Sequence, residues 1–324
     1  MAMQPFKMLV GDMVNEKQKG LAYSIQSFLC NAGSLVGYFF PFVLAFIGIS
    51  NVAEPGVVPD SVIYSFYAGA AILILCVIYT SVKVKEMPPK EYAEFHGISA
   101  EQEKEKTNIF KLLAKAPSAF WTVGLVQFFC WAAFMFMWTY TNGSIALNVF
   151  DAPLNGTVLD TTSIQYQEAG NWVGIYFAIQ AVGSVLWAMV IPMFKNKKMA
   201  YIVSLVLGGI GFMSIFFIHD QYMLFVSFLL IGCAWAAMLA LPFTILTNAL
   251  TGGHMGTYLG LFNGTICIPQ IVAAALGGSI LKMLTPEGGV APEVEMLLIA
   301  GILLIVGAVC VFIIKEKDKP KVEA

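Results

Sequence analysis

Long apolar runs alternate with short polar segments along the chain. Eight of these runs contain no Asp, Glu, Lys or Arg and are rich in Phe, Leu, Ile, Val, Gly and Ala. They are residues 20–53, 61–82, 116–150, 169–194, 199–218, 221–253, 255–281 and 296–314. Because a helix needs about 20 apolar residues to cross the hydrocarbon core of a bilayer, each run predicts one transmembrane helix. The shorter alternating segments of a membrane β-barrel are absent from this pattern.

The composition agrees with a chain that lies mostly in lipid. Of the 324 residues, 58% are hydrophobic and 12% are charged, whereas soluble proteins are about 25% charged. So little charge excludes a cytosolic enzyme, a disordered scaffold and a secreted disulfide module. The net charge of −2 shows no basic excess that would indicate a nucleic-acid partner. The prediction is an all-α polytopic membrane protein with eight complete transmembrane helices, in contact with the lipid bilayer.

The lysines predict how the chain is oriented. All 18 basic residues are Lys, and 17 of them fall in the two termini and in alternate connections between the runs. Lys282 is the exception. Since basic residues concentrate on the cytoplasmic side of membrane proteins, both termini and the long connection at residues 83–115 are expected to be cytoplasmic. The expected location is the cell inner membrane.

This long connection also divides the chain. Residues 83–115 contain two consecutive prolines and a cluster of charged side chains, which is typical of a solvated linker. We therefore predict three parts: residues 1–82 are the remainder of an N-terminal bundle, 83–115 are a cytoplasmic linker, and 116–324 are a C-terminal bundle of six helices.

A weak internal repeat indicates a plan larger than this chain. Residues 5–9 (PFKML) recur as residues 242–246 (PFTIL), 237 positions later. The same offset superimposes Gln26 on Asn263, and it matches helix 20–48 with 257–284 and helix 62–82 with 296–314 to within a few residues. It places the counterparts of residues 116–218 before Met1. The chain is therefore expected to lack three helices and most of a fourth, of which residues 1–14 are the end. Two six-helix halves would then be related by a parallel repeat.

Several short segments resemble one family of transporters. They are 4–12 (QPFKMLVGD) with 26–28 (QSF), 127–131 (QFFCW), and 241–243 (LPF) with 255–263 (MGTYLGLFN) and 268–270 (IPQ). These segments are similar to signatures of the sucrose-transporter-like branch of the glycoside–pentoside–hexuronide:cation symporters, in the major facilitator superfamily. The resemblance implies a major facilitator fold that lacks its first three helices and most of the fourth. It also implies secondary active transport by alternating access, with proton-coupled symport of a sugar or glycoside such as sucrose or maltose.

The chain departs from that family in two respects. Lys7 stands where the family usually has Arg. The acid that the family uses for coupling lies upstream of this position, in the part that the repeat places before Met1. The coupling cation that the resemblance implies is a proton, and no other cofactor is expected. Lys7 and Asp12 are candidates for coupling or gating, and a solvated charge pair is the alternative.

Uncharged polar and aromatic side chains are the candidates for a sugar site. Amides can bind hydroxyl groups, and aromatic rings can cover the C–H faces of a sugar. In one run, Gln127, Trp131, Trp138 and Asn142 fall within about 60° of one another on a helix. We interpret this stripe as the lining of a substrate cavity. The alternative is interhelical hydrogen bonding, with the tryptophans at the membrane interfaces.

The next run adds Tyr176 and Gln180, which share a face of their helix. Asn263 and Gln270 are seven residues apart on another helix, where Pro269 could cause a local break. For this pair, and for Gln26 as the repeat partner of Asn263, substrate binding and helix–helix hydrogen bonding are both open.

Other function classes receive less support. A facilitator for another small solute and an inactive truncated transporter are alternatives within the same family. A membrane-embedded enzyme is a remote alternative, because only His219 and Asp220 bring a histidine next to an acid. No phosphate-binding loop of the G-x-x-x-x-G-K type occurs, so no nucleotide partner is expected. The three His and the six singly placed Cys form no metal-binding pattern.

Overall fold

A computed structural model of the protein describes residues 13–14, 19–51, 53–54, 57–85, 88, 91, 109–249 and 255–314. Within these ranges, eight helical segments are long and apolar enough to cross a membrane. They correspond one to one to the eight apolar runs, which confirms the prediction of an all-α polytopic membrane protein.

The helices in chain order are α1 (Lys19–Phe46), α2 (Asp60–Lys83), α3 (Ile109–Ala114), α4 (Ser118–Asn148), α5 (Ile164–Val190), α6 (Lys197–Ile215), α7 (Leu224–Ala249), α8 (Met255–Phe262), α9 (Gly264–Leu284) and α10 (Glu293–Cys310). The helix α3 is too short to cross a bilayer, and α8 and α9 together make one span. Single 3₁₀ turns, Ile191–Met193 and Val311–Ile313, extend α5 and α10.

The span made by α8 and α9 is interrupted, but not at its proline. Asn263 separates the two helices, and Pro269 lies inside α9. The interruption therefore lies six residues before Pro269. A proline disturbs the turn that precedes it, because it lacks an N–H and its ring presses on the carbonyl four residues earlier, here that of Thr265. The Thr265 hydroxyl also donates to the Phe262 carbonyl at 2.7 Å, and Gly264 adds its low helix propensity.

The helix α4 lies at the centre of the packed helices. It contacts α5, α7, α9 and α10, and 67% of its most apolar stretch is buried, against 6% for α2. The helix α6 packs between α7 and α10, while α1 packs on α5 and α2 packs mainly on α1. The division of the chain at residues 83–115 stays a prediction, because most of that connection lies outside the described ranges.

Glycines let these helices approach backbone to backbone. A side chain at Gly232 of α7 would overlap the main-chain carbonyl of Gln180 in α5, and one at Gly183 would overlap the backbone of α7. The helices α6 and α10 meet in the same way at Gly209 and Gly301. Lipid offers no hydrophobic driving force between helices, so close backbone packing of this kind holds the bundle together.

The connection between α4 and α5 contains a small antiparallel hairpin, β1 (Leu154–Asn155) and β2 (Val158–Leu159). Gly156 turns it with a φ of 69°, a conformation that favours glycine. Ser163 then caps α5 by accepting a hydrogen bond from the Tyr166 N–H at 3.2 Å. The polar connection therefore ends at Ser163, which fixes the start of α5.

Candidate substrate-binding site

The predicted polar and aromatic face of α4 lies against α7. Gln127 and Trp131 are 1% and 6% exposed, whereas Trp138, about two turns further along, is 42% exposed. Gln127 bonds to α7, and both tryptophan rings contact Trp235 of the same helix. The structure thus brings three of the predicted residues to one helix interface.

A proline in α7 explains where Gln127 makes its hydrogen bond. Its Nε2 donates to the main-chain carbonyl of Met238 at 3.1 Å. In an uninterrupted helix this carbonyl would accept from the N–H four residues later, but that residue is Pro242, which has none. The Gln127 amide supplies the missing donor, and its nitrogen therefore has a structural role.

Trp235 completes a tryptophan cluster that sequence reasoning missed. Its ring centroid lies 5.8 Å from that of Trp131 and 5.9 Å from that of Trp138, both in edge-to-face contact. The rings of Trp131 and Trp138 are 6.4 Å apart. Trp235 is the only Trp in its apolar run, and this was the available signal. Sequence reasoning selected aromatic residues that share a helix face with an amide, and no amide lies near Trp235 on its helix.

Three buried side-chain atoms among the described residues have no hydrogen-bond partner, and all three belong to α4. They are Gln127 Oε1, Trp131 Nε1 and Asn142 Oδ1. A buried polar atom without a partner costs about 1–3 kcal/mol, so such atoms call for a physical explanation. Gln127 Oε1 is an acceptor and Trp131 Nε1 is a donor, one helical turn apart. A bound hydroxyl compound could satisfy both.

Asn142 lies apart from that pair. It is 15 residues beyond Gln127 on α4, which corresponds to about 22 Å along the axis. Its Oδ1 faces α5, 3.6 Å from the position that a Cβ on Gly170 would occupy. The residues of the predicted stripe therefore share one face of α4, but the stripe is too long for one pocket. Asn142 lies near the opposite end of the bundle from Gln127.

The two predicted residues of α5 differ in their surroundings. Tyr176 is fully buried, its hydroxyl donates to the Gln221 carbonyl at 3.0 Å, and its ring stacks on Phe228 at 4.9 Å. Its hydroxyl is thus bonded to the connection before α7, and its ring is packed on α7 itself. Gln180 is 6% exposed, and its main-chain carbonyl lies against Gly232.

The two predicted residues of the span made by α8 and α9 lie level with the N-terminal half of α4. Thr265 adjoins Gly124, and Gly277 adjoins Tyr140, so the helices run parallel with side-by-side residues about 140 positions apart. Gln270 is therefore level with the turn that carries Trp131. Asn263 is level with a point on α4 about one turn before Gln127. Its amide nitrogen donates to Cys267 Sγ at 3.7 Å. Gln26 is half-buried on α1.

Three charged residues complete the comparison with the sequence. Lys7 and Asp12, the candidates for coupling or gating, lie outside the described residues. Sequence reasoning missed Glu293, because the uncharged run starts at Met296, whereas α10 begins three residues earlier. The half-buried Glu293 carboxylate occupies the space that the missing side chain of Gly143 leaves on α4.

The site offers hydrogen bonding and aromatic contact rather than charge. The residues that form it, Gln127, Trp131, Trp138 and Trp235, are all neutral. No group of three or more His, Cys, Asp or Glu that could hold a metal comes together in the described ranges. Such an arrangement can bind a neutral polar solute, and it holds none of the groups that acid–base or nucleophilic chemistry needs.

These features define a polytopic helical membrane protein with a neutral amide and indole site between its helices. A family model described as the Major Facilitator Superfamily matches residues 144–324, which is more than half of the chain. The chain therefore belongs to the major facilitator superfamily and is a multi-pass membrane transporter. Transporters of this superfamily are generally not enzymes. No curated protein matches the chain.

Proposed function

We propose that the protein is a secondary active transporter that carries a neutral saccharide or glycoside by alternating access. The observation that carries this proposal is the pair of buried, unpaired atoms Gln127 Oε1 and Trp131 Nε1 beside a cluster of tryptophan rings. A hydroxyl group both donates and accepts hydrogen bonds. Neighbouring hydroxyls of one sugar could therefore satisfy the amide oxygen and the indole N–H together.

The aromatic part of the site supports the same substrate class. A sugar ring presents C–H groups on its faces, and these pack well on indole rings. Trp138 keeps a large part of its ring exposed, at 42%, while Trp131 and Trp235 hold it in place through ring contacts. A strongly charged solute would lack a counter-charge among these neutral side chains, and its desolvation would be costly.

Coupling to protons, and orientation in the inner membrane with both termini in the cytoplasm, complete the proposal. The first rests on the resemblance of residues 4–12 and 255–263 to proton-coupled sugar symporters. The second rests on the distribution of 17 of the 18 lysines. Lys7 and Asp12 are proposed to take part in coupling or gating.

The test uses the purified protein reconstituted into liposomes. Radiolabelled sucrose and maltose uptake is measured with and without an imposed proton gradient, for the wild type, Trp131→Phe and Phe217→Ala. Trp131→Phe keeps an aromatic ring but removes the indole N–H, so it should weaken apparent affinity about two- to tenfold. Phe217, 73% exposed and two residues after the end of α6, serves as the control, and its replacement should change nothing.

Each outcome is informative. Absence of uptake and of binding for both sugars would contradict the saccharide proposal. Uptake that is saturable but indifferent to the proton gradient would contradict symport and favour the facilitator alternative. An affinity that Trp131→Phe leaves unchanged would remove Trp131 from the site.

A further inference from the structure

The helices α1 and α5 meet along a continuous antiparallel seam. Asn31, Tyr38 and Phe42 of α1 fall within about 40° of one another on the helix surface. The Tyr38 ring lies 5.8 Å from that of Phe177, and Phe42 lies 3.9 Å from the position of a Cβ on Gly174. The residue numbers of the contacts rise along α1 while they fall along α5. The two helices are therefore antiparallel, and their contacts follow one line across the membrane.

A buried hydrogen bond lies on this seam near the C-terminal end of α5. The Ser184 hydroxyl donates to Asn31 Oδ1 at 3.1 Å, and the two residues are 0% and 2% exposed. The backbone of Ser184 also lies against Gly232, 2.7 Å from the position of a Cβ there, so it is fixed to α7. Neither partner can move far without breaking close packing. We refer to the Asn31–Ser184 pair as the pivot.

A second polar contact closes one end of the seam. Asn51, in the connection after α1, donates from Nδ2 to Asn171 Oδ1 of α5 at 3.2 Å. The Ser61 hydroxyl, at the start of α2, donates to Asn51 Oδ1 at 2.6 Å. Because Ser61 occupies the amide oxygen, the Asn51 nitrogen is the group directed at Asn171. We refer to the Asn51–Asn171 pair as the latch, with Ser61 as its positioning residue.

The pivot and the latch differ in how they respond to a rotation. They are 13 residues apart on α5, or about 20 Å along the axis. If α1 and α2 rotate against α5 by about 15° around the pivot, the latch partners separate by about 5 Å, while the pivot partners hardly move. A hydrogen bond does not survive a separation of that size. The latch therefore exists in only one of the two orientations.

We propose that the Asn51–Asn171 latch holds the seam shut on the side of the membrane that the connection after α1 faces, and that Asn31–Ser184 is the point about which it opens. On the proposed orientation this is the outer side. The inference rests on the alternating access of the proposed function but not on the identity of the substrate. The two amides are neutral, so the latch can break in lipid without exposing a charge.

The test measures access to the seam and needs no substrate. The six native cysteines are replaced, and Phe177→Cys is introduced as a reporter inside the seam. Its alkylation by a membrane-impermeant maleimide, added from the latch side, is timed in oriented vesicles. Asn171→Ala and Asn51→Ala should each speed the reaction about three- to tenfold, the effect of losing one hydrogen bond. The double variant should react no faster than either single one.

Asn155→Ala is the matched control, because Asn155 is an exposed asparagine of the adjacent hairpin. It should leave the alkylation rate unchanged. Equal rates in the latch variants and the wild type would overturn the proposal. Equal acceleration by Asn155→Ala would also overturn it, since that would indicate general loosening.

A second variant tests the latch in the opposite direction. Asn51→Cys combined with Asn171→Cys, bridged by a short cleavable bifunctional thiol reagent, should stop transport, and cleavage of the bridge should restore it. A bridged protein that transports at the unbridged rate would contradict the latch. If the alkylation result holds but no saccharide is transported, the proposed substrate is wrong and the latch stands.

Discussion

The amide nitrogen of Gln127 occupies the place of the main-chain N–H that Pro242 removes from the Met238 carbonyl, at 3.1 Å. This relationship joins α4 to α7 at the level of the candidate site. It divides the Gln127 side chain into a nitrogen that satisfies the protein and an oxygen that remains unpaired. The structural role of the nitrogen and the proposed substrate-binding role of the oxygen therefore fall on different atoms of one residue, and they can be separated by experiment.

The separation uses Gln127→Leu in two backgrounds. In the wild type, the substitution leaves the Met238 carbonyl unsatisfied and should lower stability by about 1–3 kcal/mol. It should also weaken substrate binding, by about five- to 150-fold if a ligand hydroxyl loses its buried partner. In the background of Pro242→Ala, the restored N–H supplies the carbonyl, so the stability loss should nearly vanish while the affinity loss persists.

The measurements are thermal unfolding in detergent and saccharide affinity for the four proteins of this cycle. Pro242→Ala alone is the control for any straightening of α7. An affinity that recovers together with stability would show that Gln127 acts on the substrate only by holding α7 in place.

Trp235 is expected to contribute to substrate binding as much as the two tryptophans found from the sequence. Trp235→Leu removes the ring that both Trp131 and Trp138 contact. Loss of those aromatic pairs, worth about 0.5–1.5 kcal/mol, should weaken apparent saccharide affinity about two- to 13-fold. Phe217→Leu, at an exposed position just after α6, removes an aromatic ring outside the cluster and should not change affinity. If both variants bind alike, the cluster is a packing feature.

The eight spans follow from the sequence because lipid imposes a simple rule. An uncharged stretch long enough to cross as a single segment becomes a helix, since only a helix satisfies the backbone within one segment. The rule fails at the ends of the spans, where a charge need not stop a helix. Glu293 shows this, because Gly143 of α4 leaves room for its carboxylate and α10 can begin three residues before the apolar run.

The sequence does not determine which residues contact each other between helices. Pro242 marks Met238 as a carbonyl in need of a donor, but the sequence does not say that Gln127, 111 residues away, provides it. Amide stripes located Gln127 and Trp131, whereas Trp235 has no polar neighbours that would single it out. The stripe argument also treated Tyr176 as available, although its hydroxyl is bonded to the Gln221 carbonyl. Helical periodicity gives the direction of a side chain but not what lies opposite.

Close packing of α5 on α7 predicts a large effect from a small substitution. A Cβ at Gly232 would overlap the Gln180 carbonyl and approach the Ser184 N–H. Gly232→Ala should therefore force the helices apart and lower the free energy of unfolding by about 1–3 kcal/mol. Gly278→Ala is the matched control, because a Cβ there meets nothing within 4 Å, and it should leave stability nearly unchanged. Thermal unfolding in detergent compares them, and equal midpoints would contradict the α5–α7 contact.

The last prediction concerns which side of the membrane each end of α5 faces. The helix runs from Ile164 to Val190, 27 residues or about 40 Å, so its two flanking connections lie on opposite sides. Thr157, in the hairpin before α5, and Lys195, after it, are both exposed. In a background without native cysteines, Thr157→Cys should react with an impermeant thiol reagent in intact cells. Lys195→Cys should react only after permeabilisation, since the lysine-rich connections are expected to be cytoplasmic. Glu101→Cys, in the linker at residues 83–115, should behave like Lys195→Cys. The reverse pattern would invert the orientation, and labelling of both Thr157→Cys and Lys195→Cys in intact cells would show that α5 does not span the bilayer.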